Sequence, residues 1–355
     1  MISKLTVKNF RCFQDFTLDN IRPITLIAGA NSVGKSTILE SIFLFFDRCT
    51  GGVFIKLNSF RGMNVLNLQA KTIWEPIFAN MNTDNDISIC VTRSGEDQTA
   101  IFNKENSFPL SLIPEIRLQL NTQDLGMPIP DFSPLKLIYK DNTNEDISYF
   151  IITERGIIIA SPKPITTIPP NIHYISSKIL TTPQQAAEWF SKVELAGDKA
   201  KCIEILRLLD NRIRDLSVIL INGVAGLYAD LGLTSRLSVN MLGDGINKLM
   251  QIVSIMLANP GAIILIDEME NGFHYSLYPK LWELIGILSA ETNCQVFATT
   301  HSYECINAAS VLTSNTNTSE LFRFIRIDRN DGRITPHIFD TDSFEYAVKN
   351  NWEIR

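Results

Sequence analysis

Nowhere in these 355 residues does an uninterrupted apolar run approach the roughly 18 residues that a membrane-spanning helix needs. The opening stretch "MISKLTVKNFRCF" alternates like a strand and lacks the long apolar block of a signal peptide, so a cytoplasmic protein with no membrane partner is expected. Cysteine is sparse and scattered. Cys12, Cys49, Cys90, Cys202, Cys294 and Cys305 form no C-x-x-C pair, and no histidine stands beside them at metal spacing. Reduced thiols are expected, without a zinc site or a disulfide framework. Internal repeats, low-complexity tracts and sustained heptads are also missing, which excludes solenoids and long coiled-coil arms. Positive charge is not in surplus: the net charge of −6 argues against a protein that coats nucleic acid, although a local basic groove is compatible with it. The densest basic run is "RFIRIDRNDGR", with Arg323, Arg326, Arg329 and Arg333 alternating around an Asp331-Gly332 turn. It reads as the solvated face of a hairpin.

What is present begins with 45% apolar and 20% charged residues, an ordinary globular balance, in a chain long enough for one large core or two lobes. Strands are expected at Ser3–Lys8, Phe16–Leu18 and Ile24–Ala28. The segment "STILESIFLFF" reads as a buried helix. Between about residues 76 and 176, short alternating runs ("ISICVT", "IRLQLN", "LKLIYK", "ISYFIIT", "GIIIAS", "IHYISS") separated by polar turns predict an inserted antiparallel sheet. Apolar residues at three- and four-residue steps predict helix over 183–217. The last third returns to alternating helix and strand: helix 245–258, strand Ala262–Ile266, helix Leu277–Ser289, strand Gln295–Thr299, and a closing hairpin.

Four stretches carry chemistry. "GANSVGKS", Gly29 to Ser36, fits G-x-x-x-x-G-K-[ST] between an apolar strand and a helix. In this pattern glycines let successive N–H groups converge on phosphate oxygens at a helix N-terminus. Asn31 and Gly34 fall inside the loop. Lys35 is placed to reach the β- and γ-phosphates, and the Ser36 hydroxyl to ligate Mg²⁺. "AIILIDEMENGFH" is an apolar run ending in Asp267 and Glu268, which delivers two acids to the carboxyl end of a buried strand. Asp267 suits Mg²⁺, and Glu268 suits orienting an attacking water. "CQVFATTHS" ends a further buried strand at His301, a group able to hydrogen-bond a hydrolytic water. "LSVNMLGDGINKLM" sets Gly243, Asp244 and Gly245 immediately before a helix, a second place where helix N–H groups can meet an anion.

Together these elements resemble the ABC-type ATPase superfamily, and within it the RecF/SMC/OLD-like group. "LTVKNFRCFQDFTL" resembles that group's opening strands with their N-F-R-x-F motif. "LIAGANSVGKSTILE" resembles its P-loop, "LGDGINKL" its signature motif, "LIDEMENGFH" its Walker B and D-loop, and "FATTHS" its switch histidine. The resemblance implies an α/β P-loop NTPase with ABC-ATPase head architecture, an inserted antiparallel β-subdomain and a helical subdomain. Within a single head spanning 1–355, residues 1–50 and 240–355 would form the nucleotide-binding core, about 76–176 the β-rich insertion, and about 180–240 the helical signature subdomain. It further implies ATP and Mg²⁺ as ligands, with Lys35, Ser36 and Thr37 on phosphate and metal and Arg11 near the phosphates. Asp267 and Glu268 keep the roles given above, with His301 as the switch. Gly243, Asp244 and Gly245 would bind the γ-phosphate held by a second subunit, and the D-loop, Glu270 to Gly272, would line the seam of a nucleotide-sandwich homodimer or higher oligomer. Departures are Gly243 for serine, Lys248 for arginine, and Met269 and Tyr275 for prolines. The Q-loop has one candidate, Gln69.

Only about 54 residues follow His301, too few for a Toprim nuclease domain. The acids among them, Asp340, Asp342 and Glu345, read as a solvated turn. The expected function is an ATP-hydrolysing sensor or regulator of a prokaryotic anti-phage system, of the Septu, PARIS or abortive-infection type, with a separately encoded nuclease or toxin as effector. The alternative is a RecF-like DNA-binding ATPase of replication or repair.

Overall fold

The structure, a computed structural model, describes residues 1–63, 68–105, 134–153, 156–178, 181–314 and 318–355. These divide into two compact units. The first comprises Met1–Ile21, Ser36–Pro169 and Arg329–Thr335; the second comprises Arg22–Lys35, Pro170–Asp328 and Pro336–Arg355. The division falls inside the P-loop motif, between Lys35 and Ser36. No helix among the described residues is long and apolar enough to cross a membrane.

The first unit is built on an antiparallel sheet of β1 (Ile2–Phe10), β2 (Phe13–Leu18), β4 (Ile87–Arg93), β5 (Glu96–Lys104), β6 (Leu135–Lys140), β7 (Glu145–Thr153) and β8 (Gly156–Ala160), in the order β2-β1-β4-β5-β6-β7-β8. Strand β4 alternates as a strand covered on one face does. Ile87, Ile89 and Val91 are buried while Ser88, Cys90 and Thr92 are half-buried, and Val7 stands opposite Ile89 across the ladder. Two helices of this unit follow the P-loop: α1 (Lys35–Phe46, whose first residue is the last of the second unit) and α2 (Val53–Phe60). Phe54 of α2 meets Phe150 and Phe102 of the sheet edge-to-face at 4.9 and 6.3 Å. Near the end of α1, the Arg48 guanidinium lies 3.7 Å from the Tyr139 ring centroid. A short helix, α3 (Ala70–Ile73), follows, with Gln69 as its N-cap.

The second unit carries a six-stranded sheet in the order β16-β15-β3-β14-β13-β9. Its strands are β3 (Ile24–Ala28), β9 (Ile172–Ile175), β13 (Ile263–Ile266), β14 (Gln295–Thr299), β15 (Phe322–Asn330) and β16 (Arg333–Phe339), the last two joined by the residues 329–335 that are counted with the first unit. The pairings of β15 with β3, β3 with β14, β14 with β13 and β13 with β9 are all parallel. Strands β3, β13 and β14 are buried at every position, the pattern of a parallel sheet covered on both faces. One continuous core joins them to α4 (Pro183–Leu195), α5 (Lys199–Leu206), a small sheet of β10 (Asp215–Ile221), β11 (Val224–Asp230) and β12 (Leu237–Ser238), and the helices α6 (Asp244–Ala258) and α7 (Tyr278–Thr292). The short helices α8 (Tyr303–Ala308) and α9 (Ser310–Ser314) follow β14, and α10 (Thr341–Lys349) closes the chain.

The fold class is as expected from the sequence, and several local expectations change. Helix over 183–217 stops at Leu206, and residues 215–238 form strands instead. The Asn222-Gly223 pair, both at positive φ, closes a tight hairpin, and that local turn chemistry overrides the helical spacing upstream. The region expected to be a helical subdomain is therefore mixed. "IHYISS" does not join the antiparallel sheet. As β9 it pairs in parallel with β13, because its Ile172–Ile175 run completes the edge of the buried sheet. The antiparallel sheet in turn takes in β1 and β2, so the N-terminal strands group with the insertion rather than with the parallel sheet. "IRLQLN" lies outside the described residues. At the closing hairpin, Asp331 and Gly332 do form the turn at positive φ. Arg326 is held by Asp328 at 2.6 Å and Arg323 donates to the Phe339 carbonyl, so half of the basic run is engaged within the unit. Asp340 caps α10 by accepting from the Ser343 N–H, and Glu345 pairs with Lys349 one turn on.

Candidate active site

The parallel register sets the carboxyl ends of three strands side by side: Ile266 stands opposite Ala298, and Thr299 opposite Ile27. Ligand sites of open α/β sheets form at this edge. After β3 the chain turns through Gly29 (φ 143°), Ser32 (φ 63°) and Gly34 (φ 104°). Gly29 is required sterically, since a Cβ there would stand 2.4 Å from the Ile327 carbonyl oxygen. Asn31 is exposed on the loop. Lys35 Nζ donates to the carbonyls of Gly29 and Ala30 at 2.7 and 2.8 Å. Burial lowers the pKa of this amine, against the opposing pull of Glu270, Asp267 and Glu268. A cation folded onto its own loop and facing three acids is placed where a phosphate can replace the two carbonyls.

The acids expected beside the P-loop are one strand away from it, because β14 runs between β3 and β13. Its last residue, Thr299, is fully buried and pins both acids. Its hydroxyl donates to Asp267 Oδ1 at 2.7 Å and accepts from the Glu268 N–H at 2.9 Å. Glu268 adopts φ 49°, a left-handed conformation that costs a non-glycine residue about 1 kcal/mol or more. Its carboxylate accepts from Asn271 Nδ2 at 2.6 Å. Its carbonyl accepts from Lys248 Nζ at 2.6 Å, an amine whose pKa burial pushes down to about 8. Strain, hydroxyl, amide and ammonium thus converge on the residue that ends the strand.

His301 is half exposed and tied to Glu270. Its backbone N–H and its Nδ1 both lie 2.9 Å from Glu270 Oε1. Glu270 is itself buried, with Oε2 lacking a hydrogen-bond partner. Of the three D-loop residues, Asn271 and Gly272 are exposed whereas Glu270 turns inward to the histidine. Gly243 (φ 103°) is the exposed N-cap of α6, with no side-chain cap, and Asp244 is exposed in the first turn. Gly245 packs on the turn after β13, where a Cβ would stand 2.4 Å from the Gly272 carbonyl oxygen.

In the first unit, Ser36 is the second residue of α1, and the buried Thr37 hydroxyl lies 3.4 Å from Arg61 Nη2 and 3.6 Å from Cys12 Sγ. Arg11 has left-handed backbone (φ 55°), and its Nε stands 3.1 Å from Glu40 Oε2. Arg61 grips the same carboxylate through Nε and Nη2 at 2.7 and 2.9 Å. Two guanidiniums therefore share one buried acid, and Arg11 Nη2 is buried without a hydrogen-bond partner. Glu40 and Arg61 escaped sequence reasoning, although a signal existed. Beyond Lys35, Glu40 is the one charged residue of α1, and a lone acid in an apolar helix demands a cation. Thr299 gave no comparable signal, because a threonine ending a strand is ordinary.

The donors fit a nucleotide bound with Mg²⁺. A hydroxyl and a carboxylate are hard oxygen ligands, and Mg²⁺ is typically held by one or two protein groups together with substrate phosphates. Among the described residues, no cluster of three or more His, Cys, Asp or Glu could form a metal cage without the substrate. Ser36 and Asp267 belong to different units.

A buried parallel sheet ending in a glycine-rich lysine loop, an Asp-Glu pair and a threonine-histidine strand end defines a P-loop ATPase with ABC-type head architecture. The AAA ATPase domain family matches residues 1–241 and 209–306, and the chain belongs to that family. It is similar to an ATP/GTP phosphatase of Helicobacter pylori, 23% identical across 99% of this chain and 98% of that protein. A shorter likeness, 46% identity over 61 residues, covers 17% of this chain and 11% of an OLD nuclease of Thermus scotoductus. Among solved structures, an SMC head bound to the C-terminal winged-helix domain of ScpA covers 98% of this chain at a TM-score of 0.50 and 16% identity; 99% of that structure is matched, and the likeness extends to the fold. Family and full-length likeness together make the chain an ATPase.

Proposed function

We propose that this ATPase works as one half of a nucleotide-sandwich homodimer, or of a larger oligomer of such pairs, with residues 1–355 acting as one head. Its cycle gates a separately encoded nuclease or toxin in a prokaryotic anti-phage system. The observation that carries the hydrolytic part is the placement of Glu268, held at both backbone and carboxylate beside an Asp267 fixed by the same threonine.

In this reading the loop N–H groups, Asn31, Gly34 and Lys35 hold the β- and γ-phosphates, with Ser36 and Thr37 at the start of α1. Ser36 of the first unit and Asp267 of the second are the residues proposed to hold Mg²⁺, which would supply charge neutralisation on the phosphate oxygens. Glu268 orients a water and takes its proton as the water oxygen bonds to the γ-phosphorus and the bond to the bridging oxygen of ADP breaks; phosphate leaves with the new oxygen. His301, whose Nδ1 is held by Glu270, keeps Nε2 to accept from the hydrolytic water as the switch, and Arg11 is the further phosphate ligand that the family resemblance implies. Gly243, Asp244 and Gly245 present the N-terminus of the 15-residue α6 to the nucleotide of the second copy. ATP then closes the pair and hydrolysis releases it, a population shift driven by γ-phosphate contacts.

The effector reading draws on the full-length likeness to a protein named for phosphatase activity alone and on the short likeness to an OLD nuclease. A RecF-like DNA-binding role requires a free basic stripe, and Arg323 and Arg326 are already engaged. Glu268→Gln tests the mechanism: it binds ATP, accumulates as a closed oligomer and loses turnover. Hydrolysis by this variant at the wild-type rate sinks the assignment. For the cellular role, cells carrying the gene with its neighbours resist phage, and Lys35→Ala abolishes that resistance. Equal resistance with Lys35→Ala removes the sensor reading.

A further inference from the structure

The signature helix and the turn that carries Glu268 meet through Gly245 and Lys248. Gly245 and Lys248 stand three residues apart on α6 and so share one face of the helix. Both meet the segment 268–272. The Gly245 Cα approaches the Gly272 carbonyl so closely that no side chain fits between them. Gly272, at φ 88°, leaves just 3.3 Å between a Cβ built there and the backbone of Asp244 and Gly245. Lys248 Nζ then donates to the carbonyls of Glu268 at 2.6 Å, Asn271 at 3.3 Å and Met269 at 3.4 Å. An ammonium withdrawn from water to meet three carbonyls of one turn is an expensive arrangement, so it calls for a purpose. The turn it grips holds the left-handed Glu268 backbone, and Asn271, whose carbonyl it also grips, holds the Glu268 carboxylate.

We propose that Lys248 is a positioning residue for hydrolysis: it locks the signature helix to the Glu268 turn, so that seating the N-terminus of α6 on a nucleotide of the second copy fixes the general base of its own site. This rests on the sandwich reading above and adds a route by which the two sites of a pair report to each other. A lysine serves because its compact ammonium can point three donors at converging carbonyls. Where the amine is absent, the turn keeps its backbone bond from the Asn271 N–H to the Glu268 carbonyl. The base then sits on a turn anchored to β13 and β14 but no longer to α6.

The test compares wild type, Lys248→Met, Lys248→Arg and Glu268→Gln in steady-state ATP hydrolysis, with nucleotide binding measured separately by a fluorescent ATP analogue. Lys248→Met is expected to lose about 10- to 100-fold in kcat, because a small misplacement of a reacting group costs on that order. Its KM and analogue affinity stay within about twofold of wild type, the split that marks an interaction realised in the transition state. Lys248→Arg restores most of the lost turnover. A wild-type kcat in Lys248→Met, a loss confined to KM, or an equal loss in the arginine variant overturns the proposal. Should Lys248→Met not fold, Gly272→Ala serves instead. Its methyl wedges the two loops apart and is expected to lower kcat with binding retained, and unchanged turnover there counts against the proposal equally. Glu268→Gln separates the two layers of argument. If it is inactive while Lys248→Met is normal, the coupling fails and the catalytic assignment stands; if Glu268→Gln remains active, the assignment itself fails.

Discussion

The two larger sheets among the described residues use the same residue types to opposite ends. In the antiparallel sheet, β4 alternates buried Ile87, Ile89 and Val91 with half-covered Ser88, Cys90 and Thr92, and polar side chains recur along the whole strand. In the parallel sheet, β3, β13 and β14 bury every residue, and the charged groups stand just beyond the carboxyl ends, where Asp267, Glu268 and His301 collect beside Thr299. A strand covered on both faces has no flank on which to place chemistry, so chemistry moves to its end. A half-covered strand spreads its polar groups over a surface and concentrates none.

The comparison can be broken most sharply at the strand end. Glu268→Gln is expected to reduce turnover by about 10²- to 10⁴-fold, the span of a lost general base, with ATP retained on the protein; a coupled phosphate-release assay alongside filter binding reads both. Next in size is the doubly covered strand itself. Phe297→Ala at the centre of β14 should cost about 3–5 kcal/mol by urea unfolding, whereas Lys8→Ala on the exposed side of β1, where Lys8 meets Asp15 at 4.0 Å, should stay within about 0.5 kcal/mol. Similar costs at the two positions would remove the distinction between the sheets.

A smaller effect concerns pH. The folded-state pKa of Lys248 is about 8 against an ordinary value of 10.5. Between these values the unfolded chain binds the proton that the folded chain has released, so this group makes stability rise with pH across that window and contributes no slope below it. Denaturant unfolding of wild type and Lys248→Met at pH 7, 8, 9 and 10 should show the difference moving in favour of wild type above pH 8. A constant difference would place the amine in water rather than in the turn. The smallest effect lies far from both strand ends. Thr182 and Gln185 form a reciprocal cap at the start of α4, and Thr182→Ala should cost about 1 kcal/mol with no change in kcat.

Much of the site was legible in the chain because its chemistry is local. The glycines, Lys35 and Ser36 occupy eight consecutive residues, and Asp267 and Glu268 end a short apolar run that gains its meaning as a buried strand from the P-loop earlier in the chain. Glu40 and Arg61 were not read, since their meaning lies in a pairing with each other and with Arg11 across 50 residues. Thr299 was overlooked for a related reason: its two bonds exist only because β14 runs between β3 and β13, and strand order is not written in any one strand. The helix expected to continue to residue 217 shows the opposite failure, a periodicity trusted past Leu206 into the first strand of the hairpin that Asn222-Gly223 closes.

The α/β P-loop fold was readable from the chain alone, and so were the residues proposed for the cradle, the acids and the histidine, because consecutive residues and short apolar runs set those features. Only the tertiary structure decided that Thr299 holds both acids, that Glu270 turns inward to grip His301, and that Lys248 closes on the Glu268 turn. Those contacts arise where separate strands and helices converge, and a burial cost is repaid only by partners that folding brings together.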